Sequence, residues 1–167
     1  MNKEKIQKKL LVITLLAMIS ILYGCASAKL NVLKPMTSHP STASLTLSDK
    51  TAKKIPDEDI GNLKAAFSDS LQKAGVTLVS TEKKDVPTIV GEIHEYDKGS
   101  QALRYWIGFG AGTGNMKTAW KVTDPNGEEI GSCNIDGSIS AGIFGGNFYN
   151  VHEEAAKAFV KFFTGTK

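Results

Sequence analysis

Cysteine is scarce: Cys25 and Cys133 are the only two, too few for a disulfide framework. Sixteen glycines and five prolines in 167 residues exclude a collagen-like chain. There is one long apolar run, near the N-terminus, so a polytopic membrane protein is excluded too. Signatures of catalysis are missing: no Gly-x-Ser-x-Gly elbow, no His-x-x-x-His pair and no Gly-Lys-Ser/Thr phosphate loop. What remains is 41% hydrophobic and 22% charged residues, which suits one globular domain and excludes a wholly disordered chain.

The apolar run sits in an N-terminal leader. Lys3, Lys5, Lys8 and Lys9 form a positive region, and Leu10 to Leu22 follow as a nearly uniform apolar stretch. As a helix this stretch is ~20 Å long, short of the ~30 Å hydrocarbon core but suited to a secretory signal peptide. Leu22-Tyr23-Gly24-Cys25 then resembles the lipobox of bacterial lipoproteins. The thiol of Cys25 is the nucleophile that takes a diacylglyceryl group, and the small Gly24 lets a peptidase reach the Gly24–Cys25 bond. Residues 1–24 are therefore expected to be cleaved and Cys25 to carry diacylglycerol and palmitate. Two or three acyl chains give stable anchoring where one does not. Ala26, in place of an aspartate, points to the outer membrane in enteric-type sorting.

The leader also explains the charge. Its four lysines against one glutamate account for the whole formal +3, leaving sixteen basic and sixteen acidic side chains in the mature chain. A nucleic-acid partner is not supported. With Cys25 acylated, Cys133 has no partner thiol and is expected to be a small buried residue.

Residues 25–41 are read as the lipidated cysteine and a tether, small and polar with Pro35 and Pro40, although Leu30, Val32, Leu33 and Met36 could pack on the domain. Thr42–Ser48 alternates as a first strand. A helix follows, with Pro56 in its first turn, Asp57, Glu58 and Asp59 at the positive end of its dipole, and Ile60, Leu63, Phe67 and Leu71 at helical spacing. Gly75 stops it. Val76–Ser80 and Thr88–Tyr96 read as strands, the latter with Ile89, Gly91 and Ile93 on one face and Glu92, His94 and Tyr96 on the other. In Asn115–Thr123, Met116, Thr118, Trp120 and Val122 oppose Lys117, Ala119 and Lys121. Asp124-Pro125-Asn126-Gly127 is a hairpin turn, and Glu128–Asp136 returns as the partner strand. A last helix starts near Asn150, with Asn150 and Glu153 as a capping box and Val151, Ala155, Ala158, Phe159 and Phe162 as its apolar stripe. The order strand, helix, strands, hairpin, helix implies a single α+β domain over 42–167. Its sheet is mixed or mainly antiparallel, with two helices packed on one face.

The glycine-rich centre holds Gly99-Ser100, Arg104, and Gly108-Phe109-Gly110-Ala111-Gly112; Asp124 with Gly127 and Gly142-Ile143-Phe144-Gly145-Gly146 follow. Over roughly residues 88–163 this arrangement resembles a family of bacterial lipoproteins catalogued as domain of unknown function 4410. The resemblance implies an envelope lipoprotein and brings no reaction, cofactor or catalytic residue. A phosphate cradle is not implied, because Met116–Val122 alternates as a strand where a dinucleotide site needs a helix. Glycines two apart leave one strand face bare for close approach or a bend. Arg104, Tyr105 and Trp106 beside them form a candidate interaction surface, since arginine and aromatics populate interface hot spots.

The histidines give no catalytic pattern. His39 lies in the tether, His94 is read as strand-edge decoration with Glu95 and Asp97, and His152 opens the last helix. Ser138 and Ser140 with His152 are the one hydrolytic constellation to check. The expectation is a non-enzymatic outer-membrane lipoprotein, without cofactor or metal, whose periplasmic domain binds an envelope protein or polymer. The alternatives are a small-ligand-binding or hydrolytic lipoprotein with a pocket lined by His94, Tyr96 or Trp120, and a self-assembling structural lipoprotein pairing through a glycine-rich strand edge.

Overall fold

Alternation at two residues and at helical spacing sorts the chain into strands and helices much as the sequence implies. The structure, a computed structural model, describes residues 26–80, 85–100, 112–139 and 147–166. In chain order these form β1 (Ala26–Lys34), β2 (Thr42–Asp49), α1 (Asp57–Lys73), β3 (Thr77–Val79), β4 (Thr88–Asp97), β5 (Gly114–Thr123), β6 (Glu129–Ile139) and α2 (Tyr149–Thr164). The strands make one six-stranded sheet in the order β1-β6-β5-β4-β2-β3. Pairing of β2 with β3 and with β4 is parallel; β4–β5, β5–β6 and β1–β6 are antiparallel. Over the described residues the fold is α+β with a mixed sheet and two helices.

Both helices pack on one face of the sheet because the inward residues of β4, β5 and β6 are apolar. Ile89, Ile93, Met116, Trp120, Val122, Cys133, Ile135 and Ile139 are buried against Leu63, Phe67 and Leu71 of α1 and Phe159 and Phe163 of α2. At the centre the Trp120 ring stacks on Phe67 at 4.2 Å and meets Phe159 at 4.8 Å. Fully burying such side chains contributes roughly 1.5–3 kcal/mol each, and the indole N–H stays satisfied by donating to Thr118 Oγ1 at 2.8 Å. Gly91 lies across from Trp120 in the register. A Cβ there would come within 2.5 Å of the indole, so only glycine leaves room for the ring. Cys133 is buried, and burial pushes its thiol up to about 12.

The Asp124 turn closes the hairpin as expected: Gly127 donates to Asp124 O at 3.0 Å with φ of 86°, and Asp124 Oδ1 accepts from the Asn126 and Glu128 amides. Those amide contacts hold the Asp124 carboxyl below its usual value.

Three expectations are corrected. The stretch expected to be a tether is a strand over Ala26–Lys34, paired along its length with β6 from Ala26↔Ile139 to Lys34↔Ser132. Its inward Ala28 and Leu30 pack on the core beside α2, which gives these residues a reason to be ordered. The capping box does not form: Asn150 lies inside α2, and Asn147 Oδ1 accepts from the Tyr149 amide instead. Tyr96 does not share a face with His94. A bulge between Ile93 and Glu95 makes His94 the extra residue, so Glu95 pairs with Lys117 outside while Tyr96 pairs with Met116 inside.

Candidate functional site

Where β4 ends and both helices begin, ionisable and aromatic side chains gather under the surface. The bulge at His94 delivers Tyr96 to this place, and α1 delivers Asp59 from its first turn. Asp59 stands four residues before Leu63 on the buried stripe of α1 and is 2% exposed. A buried carboxylate needs a partner. Lys98 supplies it, with Nζ 3.0 Å from Oδ1 and 2.8 Å from Oδ2, and the Tyr149 hydroxyl donates to Oδ1 at 3.3 Å. The hydrogen bond to Asp59 raises the Lys98 ammonium above its ordinary value.

Beside this trio the Tyr96 hydroxyl lies 3.0 Å from His152 Nε2. His152 is 1% exposed and enclosed edge-on by Phe148 and Tyr149. Burial drives its pKa down to about 4, with Asp59 pulling weakly the other way. Burial, with Asp59 adding to it, raises the Tyr96 phenol. A neutral imidazole whose Nε2 accepts from a neutral phenol has its proton on Nδ1, which meets no partner among the described residues. Chemically the cluster ties the starts of α1 and α2 to the end of β4; neither ring presents a charged base to solvent.

Among the described residues, the other face of the sheet carries no helix. It bears ion pairs such as Lys117–Glu95 at 2.6 Å and Lys121–Glu129 at 3.6 Å. A shallow depression of about 380 Å³ there is floored by Val90, Ala119 and the 60%-exposed Leu33, and rimmed by Glu92, Lys121 and Asn134. His94 lies on this face, 3.4 Å from Glu92. Among the described residues no cluster of His, Cys, Asp or Glu could hold a metal ion.

The sequence-predicted residues distribute unevenly. Gly24 and Cys25, and the candidate surface Arg104, Tyr105 and Trp106, lie outside the described residues, as do Gly108, Gly110, Ser140 and Gly142. The described ends of that central stretch are drawn together: a Cβ on Gly99, whose φ is +60°, would strike the carbonyl oxygens of Gly112 and Thr113. Ser138 bonds Ser27 on the face away from the helices, whereas His152 is buried on the inward side of α2, so the two do not meet. Of His94, Tyr96 and Trp120, Trp120 is among the residues lining the open-face depression, while His94 sits on that face beside Glu92 and Tyr96 belongs to the polar cluster. His39 is not in a tether; its Nδ1 sits 2.7 Å from Phe163 O at the end of α2. Asp59 and Lys98 were missed as a site. The signal was an acid at the i−4 position of the Leu63–Phe67–Leu71 series.

No curated protein matches the chain. Among solved structures it is similar to PelC dodecamers from Paraburkholderia phytofirmans in two crystal forms, with TM-scores of 0.55 and 0.52. In both, 12% of residues are identical, and the match covers 83% of this chain and 97% of PelC. Protein XCC0632 from Xanthomonas campestris, of family DUF330, matches at a TM-score of 0.48 and 10% identity, over 79% of this chain and 91% of that one. The model of a domain of unknown function, DUF4410, matches residues 28–142, and the chain belongs to that family.

Proposed function

Taking that membership as premise, we propose that this protein is an outer-membrane lipoprotein anchored through acyl chains on Cys25, whose periplasmic α+β domain acts by binding and not by catalysis. The observation that carries this reading is the lipobox ending at Cys25, whose next residue, Ala26, is paired in the sheet. Among the described residues one face of the sheet lies under helices and the other is polar, which suits a module that meets a partner.

Intact-mass analysis of native material tests the anchor. The expected species lacks residues 1–24 and carries diacylglyceryl and palmitoyl groups on residue 25, and Cys25→Ser abolishes both changes. An unacylated residue 25 in the native protein rejects the proposal. Crosslinking in envelopes, comparing wild type with Arg104→Ala/Trp106→Ala, then asks whether that surface holds the partner.

A second reading is that the partner is further copies of the same chain. It is favoured by the fold shared with PelC, which forms dodecamers; at 12% identity this is analogy of fold only. Light scattering of the acylated protein in detergent at several concentrations decides it, a monomer throughout rejecting self-assembly.

A further inference from the structure

We infer that one end of the sheet, marked by Ala26, Ser138, Asn115 and Lys98, rests on the lipid bilayer surface, held there because the anchor has no tether. This rests on the acylation of Cys25 proposed above and adds an orientation to it.

Consecutive Cα atoms are ~3.8 Å apart, so the residue that would carry the lipid is one peptide from Ala26. Ala26 is fixed in the sheet: it pairs with Ile139 of β6, which pairs on its other side with Gly114 of β5, and Asn115 of β5 pairs with Asp97 of β4. These residues form a transverse row at one end. With strands ~4.8 Å apart the row extends ~15 Å from the anchored edge. Lys98 and the first turns of α1 and α2, joined by the Asp59–Lys98–Tyr149 contacts, lie at the same end. The described ends of the central stretch, at Ser100 and Gly112, lie there as well. The Asp124–Glu128 turn closes the opposite end, ~30 Å away along β5 at ~3.3 Å per residue.

A flexible tether would let the domain tumble and present any surface to the membrane. Direct attachment at the start of a strand removes that freedom. The lipid-facing surface is set by sheet register, and the hairpin end is directed away from the bilayer.

The test uses the full acylated protein reconstituted in vesicles of phosphatidylethanolamine and phosphatidylglycerol. An environment-sensitive fluorophore is placed at Asn115→Cys or Asn126→Cys, both exposed positions; the buried Cys133 does not compete. Headgroup-linked nitroxides are expected to quench the label at 115 several-fold more than the label at 126. Equal quenching, as from a domain lying flat, or stronger quenching at 126 overturns the proposal. A flexible Gly/Ser insertion between Cys25 and Ala26 is expected to abolish the contrast; persistence would overturn the assignment of orientation to the missing tether. Mass analysis and vesicle flotation of the same samples report acylation and anchoring separately, so failure of the anchor is distinguishable from failure of the orientation.

Discussion

At the scale of single residues, His152 links burial to pH. Its pKa is near 4 in the folded protein and 6.5 when exposed, so between these values the unfolded chain binds the proton and the folded one does not. Stability therefore falls as pH drops from about 6.5 to 4 and is unaffected by this group above that window. The full loss is on the order of 3 kcal/mol. Asp49, Asp124 and Glu129, whose carboxyls are lowered by hydrogen bonds, lose their contribution only at more acidic pH. Denaturant midpoints at pH 7, 6 and 5 should show the slope in wild type and its absence in His152→Gln. A slope unchanged in the variant would assign it elsewhere.

At the scale of elements, the Asp59–Lys98 contact joins α1 to β4 asymmetrically, one partner buried and the other half exposed. Lys98→Met leaves a buried carboxylate without its cation and should cost about 3 kcal/mol, because an uncompensated buried charge is the expensive outcome. Asp59→Asn keeps a partner for Tyr149 and lets the lysine turn to water, and should cost about 1 kcal/mol. Thermal melts of the two variants check the order; the reverse order would mean the ion pair does not join these elements. The same elements show what was legible in the sequence. The alternation of β5 gave its faces directly, because Met116, Trp120 and Val122 fall on one face and Lys117 and Lys121 on the other, with only the small Thr118 and Ala119 between them. Parity failed in β4, since one extra residue at His94 exchanges the faces of everything after it and polar neighbours conceal the change. Apolar periodicity found the stripe of α1 but took Ile60 for its first member, because an acid in the first turn is readily explained by the helix dipole alone. The same bias missed His152. The inward residues of β1, Ala26, Ala28 and Leu30, do alternate, but two alanines make a faint signal beside Pro35.

At the scale of the whole molecule, β1 is the structural link between the N-terminal region and the domain. Its eight register pairs with β6 and its inward Ala28 and Leu30 cover part of the core beside α2. A chain beginning at Pro35 should lose an amount comparable to the ~5–15 kcal/mol that separates folded from unfolded domains. Its circular dichroism melt should lack a cooperative transition, and a sharp transition near the wild-type temperature would show β1 to be dispensable. Parallel pairing of β2 with two neighbours was beyond local patterning, as it depends on which strands the intervening helix returns to.

The two margins of the sheet have a consequence for how the molecule can associate. At one margin, β1 carries an irregularity between Val32 and Lys34; at the other, β3 offers three residues. A kinked border and a stub are poor templates for added strands, so ladder-by-ladder growth is disfavoured at both described margins. Side-chain contacts between broad surfaces are then the more accessible route to any assembly, and whether such contacts close into rings or run on as filaments depends on the rotation they impose.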